Sequence, residues 1–441
     1  MKKYFSRHIY YPLTQRLKGC QVLKHLRQLC EYETLSEVAL CNLQMERLKQ
    51  HLQIASCSPF YRRLFKQSGF DPASDLTHFS ALPLTTKTMV RQAEMDFINP
   101  NFRGKIVYGK TSGSTGISLR LCYDSLWEQR NQAAQLRGRN WWGVNVGSRE
   151  LVIWGRPFSG KAAEWVTNLK MWLLNRMQIN SFEINDRQLD RIFPALIKFN
   201  PEVIYGYSTG AGRLAEYILD RFGQSRPLKP KAVIVTSEML FQPQAETIKM
   251  AFGLEAANEY GAAETGIIAF QCPQGGWHIS ADNLILEIDQ PDENGEGKVV
   301  ITPLLNYAMP LVRYELGDVG RLVKDKCPCG LNLPLFQLSQ GRVEEVIVTP
   351  KGKTACTAFF AYIGKSLMPL GLRQFRALQK SPVLMHLQLV HSKRDDPSAE
   401  ALIRRQIKKY LGEEVNIVIE YVEQIPPDSS GKLRYFIRED F

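Results

Sequence analysis

Between residues 151 and 252, short β-branched runs alternate with helical stretches, and this alternation limits the fold more than any other feature of the chain. The runs 151–154 (LVIW), 203–205 (VIY) and 233–235 (VIV) have strand length and composition, and helical stretches are read near 186–199, 208–222 and 242–252. Parallel neighbours need a crossover and a helix supplies it, so the pattern predicts βαβ units and a parallel sheet with its loops gathered at one edge. Past residue 276 the strands come closer together. The runs 284–288 (LILEI) and 299–301 (VVI) flank the turn-rich 291–295 (PDENG), which is hairpin chemistry. From about 342 a strand at 345–348, a Pro-Lys-Gly turn, a helix, two strands around 373–390, a helix at 398–411 and a last strand at 415–421 describe a small α+β module. Residues 14–66 place Leu17, Val22, Leu23, Leu26 and Leu29 at helical spacing, so amphipathic helices are expected there.

At 441 residues the chain exceeds one ordinary core, and its 44% hydrophobic and 23% charged residues are those of a globular protein. The start lacks the apolar core and small-residue cleavage site of a secretory signal, and no run of about 18 apolar residues occurs. Residence in the cytoplasm is the expectation. It agrees with nine cysteines, five of them scattered through the first 122 residues without framework spacing. The net charge is +12, and residues 1–70 hold twelve Lys/Arg against four Glu. Solvated helix faces or docking to an anionic membrane or partner account for such an excess; nucleic-acid footprints cluster more tightly, and none is expected. Peripheral membrane association stays open, and an anionic substrate would also be served.

The segment 108–118 (YGKTSGSTGIS) gathers glycines, hydroxyls and a lysine. Thr111, Ser112, Gly113, Ser114, Thr115 and Gly116 offer backbone amides and hydroxyl donors to a polyphosphate, or form a flexible surface turn. A Walker A loop is excluded, because Lys110 precedes the glycines. Cys272 and His278 flank a Pro-Gln-Gly-Gly-Trp turn, and Cys327 and Cys329 sit in a second one. Three thiols and an imidazole make a candidate tetrahedral zinc site with no open position, hence a structural one, with free buried thiols as the alternative.

Four further segments follow in order: 258–266 (NEYGAAETG), 310–318 (PLVRYELGD), 341–347 (GRVEEVI) and 430–434 (SGKLR). Together with 108–118 they resemble the core motifs of the adenylate-forming superfamily. The segments 308–314 (AMPLVRY), 327–330 (CPCG), 276–279 (GWHI) and 348–352 (VTPKG) are similar to its phenylacetate–coenzyme A ligase branch and the CapK-like proteins of polysaccharide loci. The resemblance implies an α/β fold with a large domain, 1–341 (1–100 mainly helical), and a small mobile α+β lid, 342–441. It implies ATP, Mg²⁺, a small carboxylic acid and an acceptor, by default coenzyme A. Thr111 to Gly116 would hold phosphates, and Asp318 would accept from ribose hydroxyls. Tyr260, Gly261, Ser237 and Glu238 would line the adenine pocket. Glu264, Arg342 and Lys432 would be catalytic, Glu264 by holding Mg²⁺ and Lys432 by assisting adenylation; Arg342 begins the lid, and Glu344 would be its hinge. Some members carry structural zinc at the equivalent turns. This chain departs from the pattern in having Glu344 where aspartate is usual. At 116–120 (GISLR) the common Pro-Lys is missing, leaving Lys110 or Arg120 as substitutes. Acyl transfer to an amine, or a non-catalytic scaffold, are the rival readings. Trp154, Tyr205 and Tyr207 are candidates for either acid-pocket walls or core.

Overall fold

The computed structural model describes residues 2–73, 76–110, 119–155, 161–181, 184–240, 242–340, 347–352, 354–355, 359–360, 363, 367, 371–391, 397–425 and 436–439. Strands β1 (Ile106–Lys110) and β2 (Arg120–Asp124) pair antiparallel, with Lys110 opposite Arg120. Next come β3 (Glu150–Trp154), β4 (Arg176–Asn180), β5 (Val203–Tyr207), β6 (Ala232–Thr236) and β7 (Ala256–Ala262), parallel in the order β4-β3-β5-β6-β7. Helices Asp186–Phe199, Ser208–Phe222 and Gln242–Phe252 make crossovers where the alternation predicts them. All of β6 is buried, as a central strand with both faces covered must be.

The expected parallel sheet is one half of a larger mixed sheet. Only residues 263–265 separate β7 from β8 (Gly266–Gln271), too few for a crossover, so β8 reverses direction. Strands β9 (Trp277–Ile279), β10 (Leu284–Asp289), β11 (Gly297–Pro303), β12 (Tyr314–Val323) and β13 (Leu335–Gln340) continue antiparallel. The eleven strands run β10-β11-β12-β13-β9-β8-β7-β6-β5-β3-β4. Helices Glu37–Ala55 and Pro59–Ser68 cover the antiparallel half, burying Leu48, Leu52 and Tyr61 against Ile268, Ile301 and Tyr314.

The C-terminal segment has its own core. Strands β14 (Ile347–Val348) and β15 (Thr354–Ala355) pair with each other. Strands β16 (Leu372–Ser381), β17 (Leu384–His391), β18 (Asn416–Tyr421) and β19 (Phe436–Arg438) form a sheet of order β18-β17-β16-β19. Phe360, Phe375, Leu387, Ile403 and Ile407 pack inside, the last two from helix Pro397–Leu411, and the cluster reaches Tyr207 and Trp154 of the large sheet. The strand at β18 is not the last, contrary to the sequence reading. Its three residues give β19 too short a pattern to read, yet β19 pairs parallel with β16. The interval 426–435 therefore lies between buried Ile425 and buried Phe436. Among the described residues no helix is long and apolar enough to cross a membrane.

Candidate functional site

The β7–β8 hairpin lies at the carboxyl end of the parallel half, where strand direction changes and where open α/β sheets hold their ligands. At Gly261 an added Cβ would stand 2.6 Å from the Gly266 carbonyl oxygen, and the register slips between Tyr260 and Gly261. Only glycine lets the hairpin close this tightly. The turn carries Glu264 inward to 4% exposure. There its Oε1 accepts from the Tyr314 hydroxyl at 3.2 Å and stands 3.7 Å from Lys87 Nζ. Lys87 begins helix Lys87–Gln92, which Thr86 caps by accepting from the Met89 amide.

Tyr314 is held by the segment that precedes it. Arg313 adopts φ 46°, a region non-glycine residues occupy only when their surroundings impose it. Its guanidinium pairs with Glu287 at 3.2 Å and Asp289 at 3.6 Å and donates to the Leu82 carbonyl. Thr85 exchanges main-chain bonds with Arg313 and Glu315, 2.9 Å each, so the N-terminal helical region fixes the start of β12. Further along, two steps of β11 from Lys298 to Val300 oppose four of β12 from Val319 to Glu315. The excess bulges out, and Gly317 at φ +88° turns the chain so that Asp318 leaves the ladder. Asp318 Oδ2 accepts from the Tyr260 hydroxyl at 2.7 Å, and the Tyr260 ring lies parallel to Phe336, 5.6 Å between centroids. One carboxylate oxygen thus stays oriented while the group keeps acceptor capacity for a ligand hydroxyl.

Thr111, Ser112, Gly113, Ser114, Thr115 and Gly116 lie outside the described residues, as do Arg342, Glu344 and Lys432. The two ends of the first segment are placed: β1 and β2 bring Lys110 and Arg120 opposite each other. The Tyr123 hydroxyl of β2 donates to the Ala263 carbonyl at 2.9 Å, tying this hairpin to the one that carries Glu264. Burial, and then the Glu264 charge, push the Tyr123 phenol well up, so it stays a neutral donor. Ser237 turns at φ 68° after β6. The Glu238 carboxylate accepts from the Thr209 amide at 3.1 Å and hydroxyl at 2.7 Å, so it braces the start of helix Ser208–Phe222. Trp154 stacks on Tyr207, 4.4 Å between centroids. Tyr205 donates to Glu259 at 2.8 Å beneath the Arg139 guanidinium, and Tyr207 packs into the C-terminal core. Both tyrosines therefore act as supports. The sequence reading missed Lys87, Tyr123 and the hydroxyl of Tyr314; only Tyr314 lay inside a recognised motif.

Cys272, His278, Cys327 and Cys329 converge behind β8 and β9, their ligand atoms all within 4.8 Å of one another. Cys272 Sγ and Cys327 Sγ are 3.5 Å apart, and Cys329 Sγ and His278 Nε2 are 3.2 Å apart. Tetrahedral zinc with Zn–S near 2.3 Å sets sulfurs about 3.8 Å apart, so a small expansion accommodates the ion. His278 Nδ1–H donates to the Leu333 carbonyl at 3.2 Å, leaving Nε2 as the ligand side. The donor set fits zinc.

Residues 336–439 match the family described as the CapK C-terminal domain. Protein CapK of Staphylococcus aureus is 24% identical over 99% of this chain and 99% of its own. Phenylacetate-coenzyme A ligase of Thermus thermophilus is 26% identical over 72% of this chain and 74% of its own. Among solved structures, 2-hydroxyisobutyryl-CoA ligase with 2-HIB-AMP and CoA in the thioesterification state is 21% identical with a TM-score of 0.59, covering 92% of this chain and 91% of that one. The same enzyme in the postadenylation state with R3-HIB-AMP is 19% identical over the same shares, with a TM-score of 0.57. That likeness establishes the fold, and the two sequence relatives extend it to kinship. The chain is a homologue of CapK and of phenylacetate–coenzyme A ligase and has the fold of the solved acyl-CoA ligases.

Proposed function

We propose that this chain is an AMP-forming acid ligase that converts a small carboxylic acid to its acyl-adenylate and passes the acyl group to coenzyme A. The observation that carries the reading is a pair of tyrosine-held carboxylates, Glu264 on Tyr314 and Asp318 on Tyr260, with the Glu264 hairpin at the carboxyl edge of the parallel strands tied to the β1–β2 hairpin. ATP would lie along this edge. Asp318 accepts from the ribose, Tyr260, Gly261 and the Ser237–Glu238 turn border the base, and residues 111–116 hold phosphates. Glu264 would be a fitting protein ligand for Mg²⁺ brought with the nucleotide, since Mg²⁺ usually takes one or two carboxylates plus phosphate oxygens. The substrate carboxylate attacks the α-phosphorus, the bond to the bridging oxygen breaks, and pyrophosphate leaves. Lys432, on the segment between β18 and β19, offsets the charge that develops on the phosphorus oxygens. Module 342–441 then turns about a hinge at Glu344 to admit the acceptor thiol, which displaces AMP. Zinc on Cys272, His278, Cys327 and Cys329 pins the two loops behind the site and takes no part in the chemistry.

Coenzyme A is favoured over an amine by the charge of a cleft of about 820 Å³ between the large sheet's helices and the module. Arg187, Arg213, Lys351, Arg405, Lys408 and Lys409 line it against three carboxylates, which suits a phosphorylated acceptor. The test is mass spectrometry of purified protein given Mg-ATP and the small acids of a cell extract. The reading expects an acyl-AMP that is replaced by an acyl-CoA once coenzyme A is added. Failure of any acid to yield an adenylate would favour the scaffold reading, and an adenylate discharged only by amines would favour amide synthesis.

A further inference from the structure

Residues 2–17 form a helical run in which Lys2–Phe5 and Tyr11–Leu17 are α-helical and Ser6–Tyr10 is a π turn. One side of it is tied down. Ser6 is fully buried and its hydroxyl donates to the Leu173 carbonyl at 2.6 Å, while Lys3 Nζ pairs with Glu202 at 2.9 Å. The other side leaves Phe5, Ile9, Leu13 and Leu17 exposed, Leu17 at 79%. These residues recur every fourth position, and the wider π turn counters the drift that an uninterrupted α-helix gives such a row.

A second apolar stripe adjoins the first. Helix Lys161–Leu173 exposes Trp165, Leu169 and Trp172, spaced as one helix face, with the two indoles at 67% and 59%. The stripes meet where Lys2 Nζ stands 4.4 Å over the Trp172 ring. Monomeric surfaces rarely leave so many large apolar and aromatic side chains uncovered together. The charge around them is one-sided: residues 1–30 contain seven Lys/Arg and no Asp or Glu, and Arg7, Arg16 and Lys18 flank the exposed row.

We propose that this face docks the protein onto an anionic phospholipid membrane, with the run Lys2–Leu17 lying in the interfacial plane and Trp165 and Trp172 seated at headgroup level. Exposed aliphatic residues, tryptophans and an excess of cations over carboxylates are the composition of an interfacial helix. A run of this length is about 24 Å long and falls short of the roughly 20 apolar residues needed to span a bilayer, so it lies on the surface. A second copy of this chain is the weaker occupant, because it would press two basic faces together. The orientation agrees. Gly147, Leu173 and Glu202, against which the run packs, all precede the amino ends of the parallel strands. The edge carrying Glu264 is the opposite one, so a docked molecule keeps that edge toward the aqueous phase.

The experiment is co-sedimentation of the full-length protein with vesicles of phosphatidylcholine alone or mixed with phosphatidylglycerol, at physiological salt, with tryptophan emission recorded. Binding to the mixed vesicles only, with a blue shift, is expected. Each Lys or Arg near such a surface contributes about a five-fold factor, so Arg7→Gln/Arg16→Gln/Lys18→Gln should lower partitioning about 100-fold. Leu13→Glu/Leu17→Glu, at sites open in the folded chain, should abolish it while circular dichroism and melting stay unchanged. No sedimentation of wild type with the mixed vesicles, equal binding to neutral ones, or concentration-dependent dimerisation that the leucine substitutions remove would each overturn the proposal. So would vesicle binding that survives both sets of substitutions.

Discussion

Glu264 is surrounded by groups that hold it in place: a tyrosine hydroxyl, an ammonium, and a hairpin anchored by Tyr123. Replacing it with glutamine keeps the shape and removes the charge, so adenylation should slow about 100-fold with little change in melting temperature, read by single-turnover kinetics. Tyr260→Phe keeps the ring against Phe336 and removes one donor to Asp318. Weakening of ATP binding by roughly ten-fold is expected, the value of one hydrogen bond to a charged group, measured by calorimetry. His51 supplies a pH dependence unrelated to catalysis. It is fully buried, Nε2–H donates to the Leu311 carbonyl at 3.0 Å, and burial holds its pKa at about 4 against the usual 6.5. The unfolded chain takes up this proton first. Stability is therefore full above pH 6.5 and falls as the pH drops toward 4, by about 3 kcal/mol. Urea unfolding across that window should show the loss, and His51→Gln should flatten it.

The elements differ in how far the sequence revealed them. Helices Asp186–Phe199, Ser208–Phe222 and Gln242–Phe252 and the strands between them were legible because β-branched runs of a fixed length must be buried on both faces. The Cys/His quartet stood out because turn residues surround it, whereas Glu264 was legible only through the resemblance of 258–266 to a family motif. Strands β1 and β2 were not read, since YGK and LCYD lack alternation and the pair is held by register with each other and by Tyr123. Lys87 reaches Glu264 through tertiary packing alone, and no local pattern announces it. The buried pair Arg139 and Glu150, joined by half-buried Arg176 at the start of β4, is of the same kind, with Glu150 2.9 Å from Arg139 and 2.6 Å from Arg176. Glu150→Ala would leave Arg139 buried without its carboxylate and should cost about 3–5 kcal/mol in urea denaturation. At the zinc-fitting turns, elemental analysis should find one zinc per chain, and Cys327→Ser should abolish it and lower the melting temperature.

At the scale of the molecule, one sheet carries both a ligand edge and, at its other end, a basic apolar face, while the small module reaches the ligand edge through Tyr207 and Trp154. On the proposed function, the cleft between the sheet's helices and the module takes the acceptor and so separates the two half-reactions. Arg405→Glu/Lys408→Glu should raise the KM for coenzyme A about ten-fold or more and leave adenylate formation intact, because both residues line the acceptor cleft and neither touches Glu264 or Asp318. All of this requires that the edge beside Glu264 make an adenylate with the help of a lysine far along the chain. Acid-dependent ATP–pyrophosphate exchange, in wild type and in Lys432→Ala, asks that directly. The account predicts exchange in the wild type with at least one carboxylic acid and a loss of about 100-fold or more in the variant; an undiminished rate in Lys432→Ala would contradict it.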